Sequence, residues 1–222
     1  MCSSDLTVGA PSTRANVNDI SYELSTGAVE ALKDQVYGYT TDRGYYAASE
    51  VVPGMGYWIK VYGEGYYRVK GSGLPKVVAN HTGELNLASI TVSDVEGRSN
   101  TLRVSENGTV NPTRFELPPV IAPDMFDVRF SNNAYATNSN DMTIRVQGVT
   151  YPMTLTSEGL NGSYTAFDAR TGAVLGSISA TNTLVVNNSS VIRLAKQQDD
   201  NTNVDVYPNP ASSLINVRTA VT

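Results

Sequence analysis

The sequence predicts an all-β protein: an antiparallel β-sandwich of immunoglobulin-like type, preceded by a small Tyr/Gly-rich β-hairpin domain. Three observations lead there. Short runs of alternating apolar and polar residues recur at about 8–12-residue spacing, with turn residues between them. The composition favours pleated surfaces joined by polar turns, with 13 tyrosines against 4 phenylalanines, 18 glycines and many Ser, Thr and Asn. Long stretches of Ala, Leu, Glu and Lys at helical spacing are missing. An apolar fraction of 41% is ample for a packed core.

The chain divides into four parts. Residues 1–6, Met1-Cys2-Ser3-Ser4-Asp5-Leu6, resemble a translated sequencing adapter and are expected to be a non-native scar. Residues 7–72 form the Tyr/Gly-rich part, ending in a Gly71-Ser72-Gly73-Leu74-Pro75 turn or linker. Within it, Tyr57–Tyr62 and Tyr66–Lys70 flank Gly63-Glu64-Gly65, the pattern of a hairpin with a three-residue loop. With Tyr62 opposite Tyr66, one face carries Ile59, Val61, Tyr67 and Val69 and suits a core. The other carries Trp58, Lys60, Tyr62, Tyr66 and Arg68, and should meet water or a partner. Residues 28–36 are compatible with a short helix.

Residues 73–197 are expected to be the sandwich. Phe126, Val128 and Phe130 share one face of a strand, with Asp127 and Arg129 on the other. Ile144 with Val146, Met153 with Leu155, Leu184 with Val186, and Ile192 with Leu194 repeat the alternation. Gly172, Gly176, Asn187 and Asn188 fall between runs as turn residues. The prolines of 117–123 cannot donate to a ladder, so that stretch should be an extended connection between sheets. Residues 198–222 begin with a polar linker and end in a strand pattern at Leu214–Val217.

Little in the sequence points to catalysis. The single histidine, His81, lies in a polar Asn-His-Thr-Gly run and reads as an exposed turn residue, since a general base needs an orienting partner. No nucleophile elbow or phosphate loop is present, and no catalytic residue is assigned. Asp199, Asn201, Asn203 and Asp205 alternate as calcium ligands do, but Val204 and Pro210 stand where that loop needs Gly and Glu. No metal or other cofactor is expected. One cysteine excludes an intrachain disulfide. A net charge of −5 without a basic cluster argues against nucleic acid, and no apolar run is long enough for a membrane-spanning helix. The five glycosylation sequons are what an Asn/Ser/Thr-rich chain produces by chance. Eight tyrosines and the single Trp fall between residues 37 and 67, so an aromatic binding face formed by Trp58, Tyr62 and Tyr66 is the strongest candidate contact surface.

Several of these stretches resemble the C-terminal regions of large secreted proteins of Bacteroidota type. Tyr37-Gly38-Tyr39, Gly44-Tyr45-Tyr46 and Val52-Pro53-Gly54-Met55-Gly56-Tyr57-Trp58-Ile59-Lys60 are similar to a Tyr-rich run and Pro-Gly-x-Gly-Tyr-Trp element found there. Ile90–Arg98, Phe115–Pro119 and Phe126–Phe130 are similar to the β module that follows. Val206-Tyr207-Pro208-Asn209-Pro210-Ala211-Ser212 resembles the opening of a type A sorting domain of type IX secretion. In that family the sorting domain continues through further strands, with a Gly-x-Tyr element and a lysine-containing end, whereas this sequence stops at Thr222. The expected reading is therefore a piece truncated at both ends, its signal peptide lost with the missing start.

The resemblance implies a non-catalytic structural and export module of a secreted or outer-membrane-surface protein. Its sorting signal would start at Tyr207, Pro208, Asn209 and Pro210. The implied partners are the type IX machinery and upstream domains of the same polypeptide. The alternative is a carbohydrate-binding module that meets polysaccharide through Trp58, Tyr62 and Tyr66.

Overall fold

A computed structural model describes residues 4–9, 14–31, 35–61, 64–69, 87–108, 110–120, 122–139, 142–197, 204–207 and 216–219. These form strands, turns and two short 3-10 turns at Val17–Asp19 and Pro112–Phe115. The first part contributes β1 (Ser4–Gly9), β2 (Ala15–Asn16), β3 (Ile20–Leu24), β4 (Val29–Ala31), β5 (Val36–Thr40), β6 (Gly44–Ala47), β7 (Glu50–Val51), β8 (Gly56–Val61) and β9 (Gly65–Val69). The second contributes β10 (Ala88–Ser93), β11 (Ser99–Ser105), β12 (Asp127–Phe130), β13 (Ala136–Asn138), β14 (Thr143–Gln147), β15 (Met153–Glu158), β16 (Tyr164–Asp168), β17 (Val174–Ile178), β18 (Leu184–Val186) and β19 (Val191–Lys196). Two further strands, β20 (Val204–Tyr207) and β21 (Asn216–Thr219), lie beyond them. The all-β expectation holds.

The second part is a sandwich of two five-stranded sheets, ordered β13-β11-β10-β15-β18 and β12-β14-β19-β16-β17. Their facing sides interdigitate in one core. Ile90, Leu102, Leu155 and Leu184 come from the first sheet, and Val128, Phe130, Ile144, Tyr164 and Ile192 from the second. The period-two pattern read from the sequence thus assigns these faces correctly, because a pleated strand sends alternate side chains to opposite sides. One pairing departs from the antiparallel rule: β13 runs parallel to β11. Gly176 is not a turn residue. It lies inside β17 at a register shift opposite β16, with φ +139°. A Cβ there would stand 2.8 Å from Leu184 Cδ1.

In the first part, a four-stranded sheet, β1-β8-β5-β6, and a three-stranded sheet, β4-β3-β9, share a second core. Ile20 and Tyr67 from the smaller sheet meet Val36, Tyr57 and Ile59 from the larger. The expected hairpin between residues 57–62 and 66–70 does not form. β8 is flanked by β1 and β5, so both its hydrogen-bonding edges are occupied, and β9 pairs with β3 in the other sheet. The inward faces were nonetheless correctly read: Tyr57 and Ile59 are buried, and Tyr67 packs against them. Instead of a helix over 28–36, Val29–Ala31 is a strand against β3, and β5 starts at Val36. Ser4, Asp5 and Leu6, assigned above to the scar, belong to β1 and pair with Val61, Lys60 and Ile59.

The Leu117–Val120 stretch connects β11 to β12 and forms no strand, as its prolines require. β20 and β21 pair antiparallel, with Tyr207 opposite Asn216. Among the described residues no helix is long and apolar enough to cross a membrane.

Candidate functional site

The outer face of β12 is where the structure departs most from the expected pattern. Asp127 and Arg129, on the strand face opposite Phe126, Val128 and Phe130, are 2% and 5% exposed. They form a two-pronged ion pair: Arg129 Nε donates to Asp127 Oδ2 at 2.6 Å, and Nη2 donates to Oδ1 at 2.8 Å. Two charges this deep are tolerated only when each satisfies the other. Their cover comes from the first part of the chain, where Tyr39 and Tyr45 stand beside them. Burial, and then the Asp127 carboxylate, raise the Tyr39 hydroxyl pKa. Burial raises that of Tyr45 against the opposing charge of Arg129.

A mixed apolar and polar junction holds this cover in place. Tyr37, Tyr45 and Leu117 are buried together, with Tyr39, Trp58, Met125 and Tyr135 packed around them. Tyr37 meets Tyr135 edge-on at 6.4 Å between ring centroids, and Tyr39 meets Tyr45 at 5.3 Å. Tyr45 Oη donates to the Pro119 carbonyl at 3.2 Å, and Asn100 Nδ2 donates to the Tyr45 carbonyl at 2.6 Å. The Ser99 amide donates to the Asp42 carbonyl at 2.9 Å, and Lys60 forms an ion pair with Glu116. Gly44, at φ +68°, makes the close approach possible: a Cβ there would stand 2.7 Å from the Phe126 carbonyl oxygen. The extended proline segment thus receives the first unit together with β11 and the start of β12.

Beside the junction, under the proline segment, lies a pocket of about 650 Å³. Asp127, Arg129, Arg145, Gln147, Tyr151 and Arg170 contribute to its lining. Arg129 and Arg145 are directly opposite across the β12–β14 ladder, so two guanidinium groups share one face. Arg170 arrives from the turn after β16, which Asp168 organises by accepting from the Arg170 and Thr171 amides at 2.8 and 2.9 Å. With the Ser189 hydroxyl as the largest influence, these bonds hold the Asp168 carboxyl down at about 2. In the turn after β10, the Asp94 carboxylate accepts from the Glu96, Arg98 and Thr150 amides and from the Arg98 guanidinium. Burial raises its pKa, but these bonds outweigh burial and the net shift is downward.

Of the residues proposed for an aromatic binding face, Trp58 and Tyr66 lie on strands of different sheets. Trp58 is half-buried in the junction, whereas Tyr66 is 71% exposed on β9 in the other sheet. Tyr62 lies outside the described residues, as do His81, Pro208, Asn209, Pro210 and the Asp199–Asn203 stretch. Among the described residues, no three His, Cys, Asp or Glu side chains converge as metal ligands. The functional features missed at the sequence level are the buried ion pair and the arginine pocket. One signal did exist for the first: 37–46 holds more tyrosine than one small core would bury, which implies a second surface for the rings to cover.

Comparison with protein-family models, curated proteins and solved structures finds no match.

Proposed function

We propose that this chain is a non-catalytic spacer and export module of a larger secreted or cell-surface protein. Two β units joined without freedom between them would hold an upstream region at a set distance and orientation, and the tail would address the whole to type IX secretion. The observation that supports the spacer role is the buried junction. An isolated linker would let two units tumble, but here aromatic packing, the hydrogen bonds of Tyr45 with Pro119 and Asn100, and the Lys60–Glu116 contact tie them together. The export role rests on the resemblance of Val206–Ser212 to a sorting-domain opening. Pro208 and Pro210 favour extended backbone and withhold two amide donors, which suits a segment read by another protein.

The export reading is tested with a reporter fused to the full-length parent C-terminus, expressed with and without the type IX machinery. Secretion that needs the machinery supports it, and secretion in cells lacking the machinery refutes it. The spacer reading is tested by small-angle scattering of this chain. One fixed interunit distance is expected, and a broad distribution would overturn it.

A further inference from the structure

The pocket beside the junction carries a charge imbalance that the spacer role does not use. Its acidic groups are already engaged: Glu116 pairs with Lys60, and Asp127 pairs with Arg129. Arg145 and Arg170 remain, and neither guanidinium has a hydrogen-bond or ion-pair partner among the described residues. By contrast, Arg98 is held by Asp94, and Arg193 lies over the Phe167 ring at 4.6 Å. Two unmatched guanidiniums in one concavity stand out in a chain of net charge −5. Arg145 stands directly opposite Arg129 on the ladder, and with Arg129 already neutralised by Asp127, Arg145 is the guanidinium of this strand pair left for an anion.

We propose that this pocket binds an acidic saccharide, with the carboxylate of a uronate-type sugar held by Arg145 and Arg170. Guanidinium groups present paired N–H donors that match the two oxygens of a carboxylate, and the charge persists at any physiological pH. The rest of the lining suits a sugar ring better than an apolar ligand. Gln147, Asn133 and Ser190 bring hydrogen-bonding groups, while Tyr151 and Pro119 supply flat apolar surface. A volume of about 650 Å³ accommodates one or two rings. The proposal is independent of the spacer reading, and neither Trp58 nor Tyr66 lines the pocket.

Isothermal titration of the full chain with a galacturonate disaccharide tests it, with the neutral galactose disaccharide and a glutamate peptide as comparison ligands. Binding of the acidic disaccharide is expected, weakening with added salt. It should fall at least about tenfold in Arg145→Gln and in Arg170→Gln, as for loss of a charge-assisted contact. Trp58→Phe should leave it unchanged. Unaltered thermal unfolding of both Gln variants would show that the fold is retained. Absence of binding by the unsubstituted chain, or binding that survives both Gln substitutions, overturns the proposal. Equal or tighter binding of the neutral disaccharide or of the glutamate peptide overturns the assignment to an acidic saccharide.

Discussion

In the sandwich, the interior is mostly aliphatic: Ile90, Leu102, Ile144, Leu155, Ile192 and their neighbours fill the space between two sheets, with Phe130 and Tyr164 among them. The first unit uses tyrosine instead. Tyr57 packs inward between its two small sheets, while Tyr37 and Tyr45 pack outward against Leu117 and the sandwich. A small sheet pair buries little surface by itself. Rings long enough to serve two cores, each with a hydroxyl for a polar edge, let that unit draw stability from its neighbour. The difference suggests that the sandwich is the foundation and that the first unit depends on the junction.

Substitutions in the two regions can break or sharpen that contrast. The largest loss is expected from Phe130→Ala, which empties the centre of the aliphatic core and should cost about 3–5 kcal/mol in denaturant unfolding. Next comes Asp127→Ala, which strands the Arg129 charge under the tyrosines and should cost about 3 kcal/mol. Replacing both partners, Asp127→Leu with Arg129→Met, should restore most of that loss in the same measurement, because no buried charge is left unmatched. If the double replacement is as damaging as the single one, the pair is not the source of the effect.

Smaller effects distinguish the hydroxyls. Tyr45→Phe removes the bond to the Pro119 carbonyl and should cost about 1 kcal/mol. Acid titration addresses Asp168. Its folded pKa, about 2, lies below the ordinary value of 3.8, so its contribution is complete above that ordinary value and disappears as pH falls from there through about 2. Asp168→Asn should therefore flatten the stability profile across that window, as read by thermal unfolding at a series of pH values. The smallest change is expected from Tyr67→Phe. The Tyr67 hydroxyl is buried without a hydrogen-bond partner among the described residues, and burial pushes its pKa up, so its removal should cost nothing.

Much of this architecture was legible because strand alternation is a local property. Phe126, Val128 and Phe130 had to share a face whatever they paired with, and so did Tyr57 and Ile59. Pairing is not local. Gly63-Glu64-Gly65 is as compatible with a crossing between sheets as with a hairpin, and only the occupation of both edges of β8 by residues far away in sequence decides between them. The burial of Asp127 and Arg129 was hidden for a related reason: an alternating charged face looks solvent-exposed until another unit covers it. Arg145 and Arg170 belong to no motif, and only the fold of the sheet around them brings both to one pocket.

Trp58, the single tryptophan, sits in the junction and reports on it directly. Urea unfolding followed simultaneously by Trp58 fluorescence and far-ultraviolet circular dichroism tests whether the first unit and the sandwich stand together. Coincident transitions with one midpoint are predicted. A Trp58 transition complete at lower urea, with the β-sheet signal intact, would contradict the account.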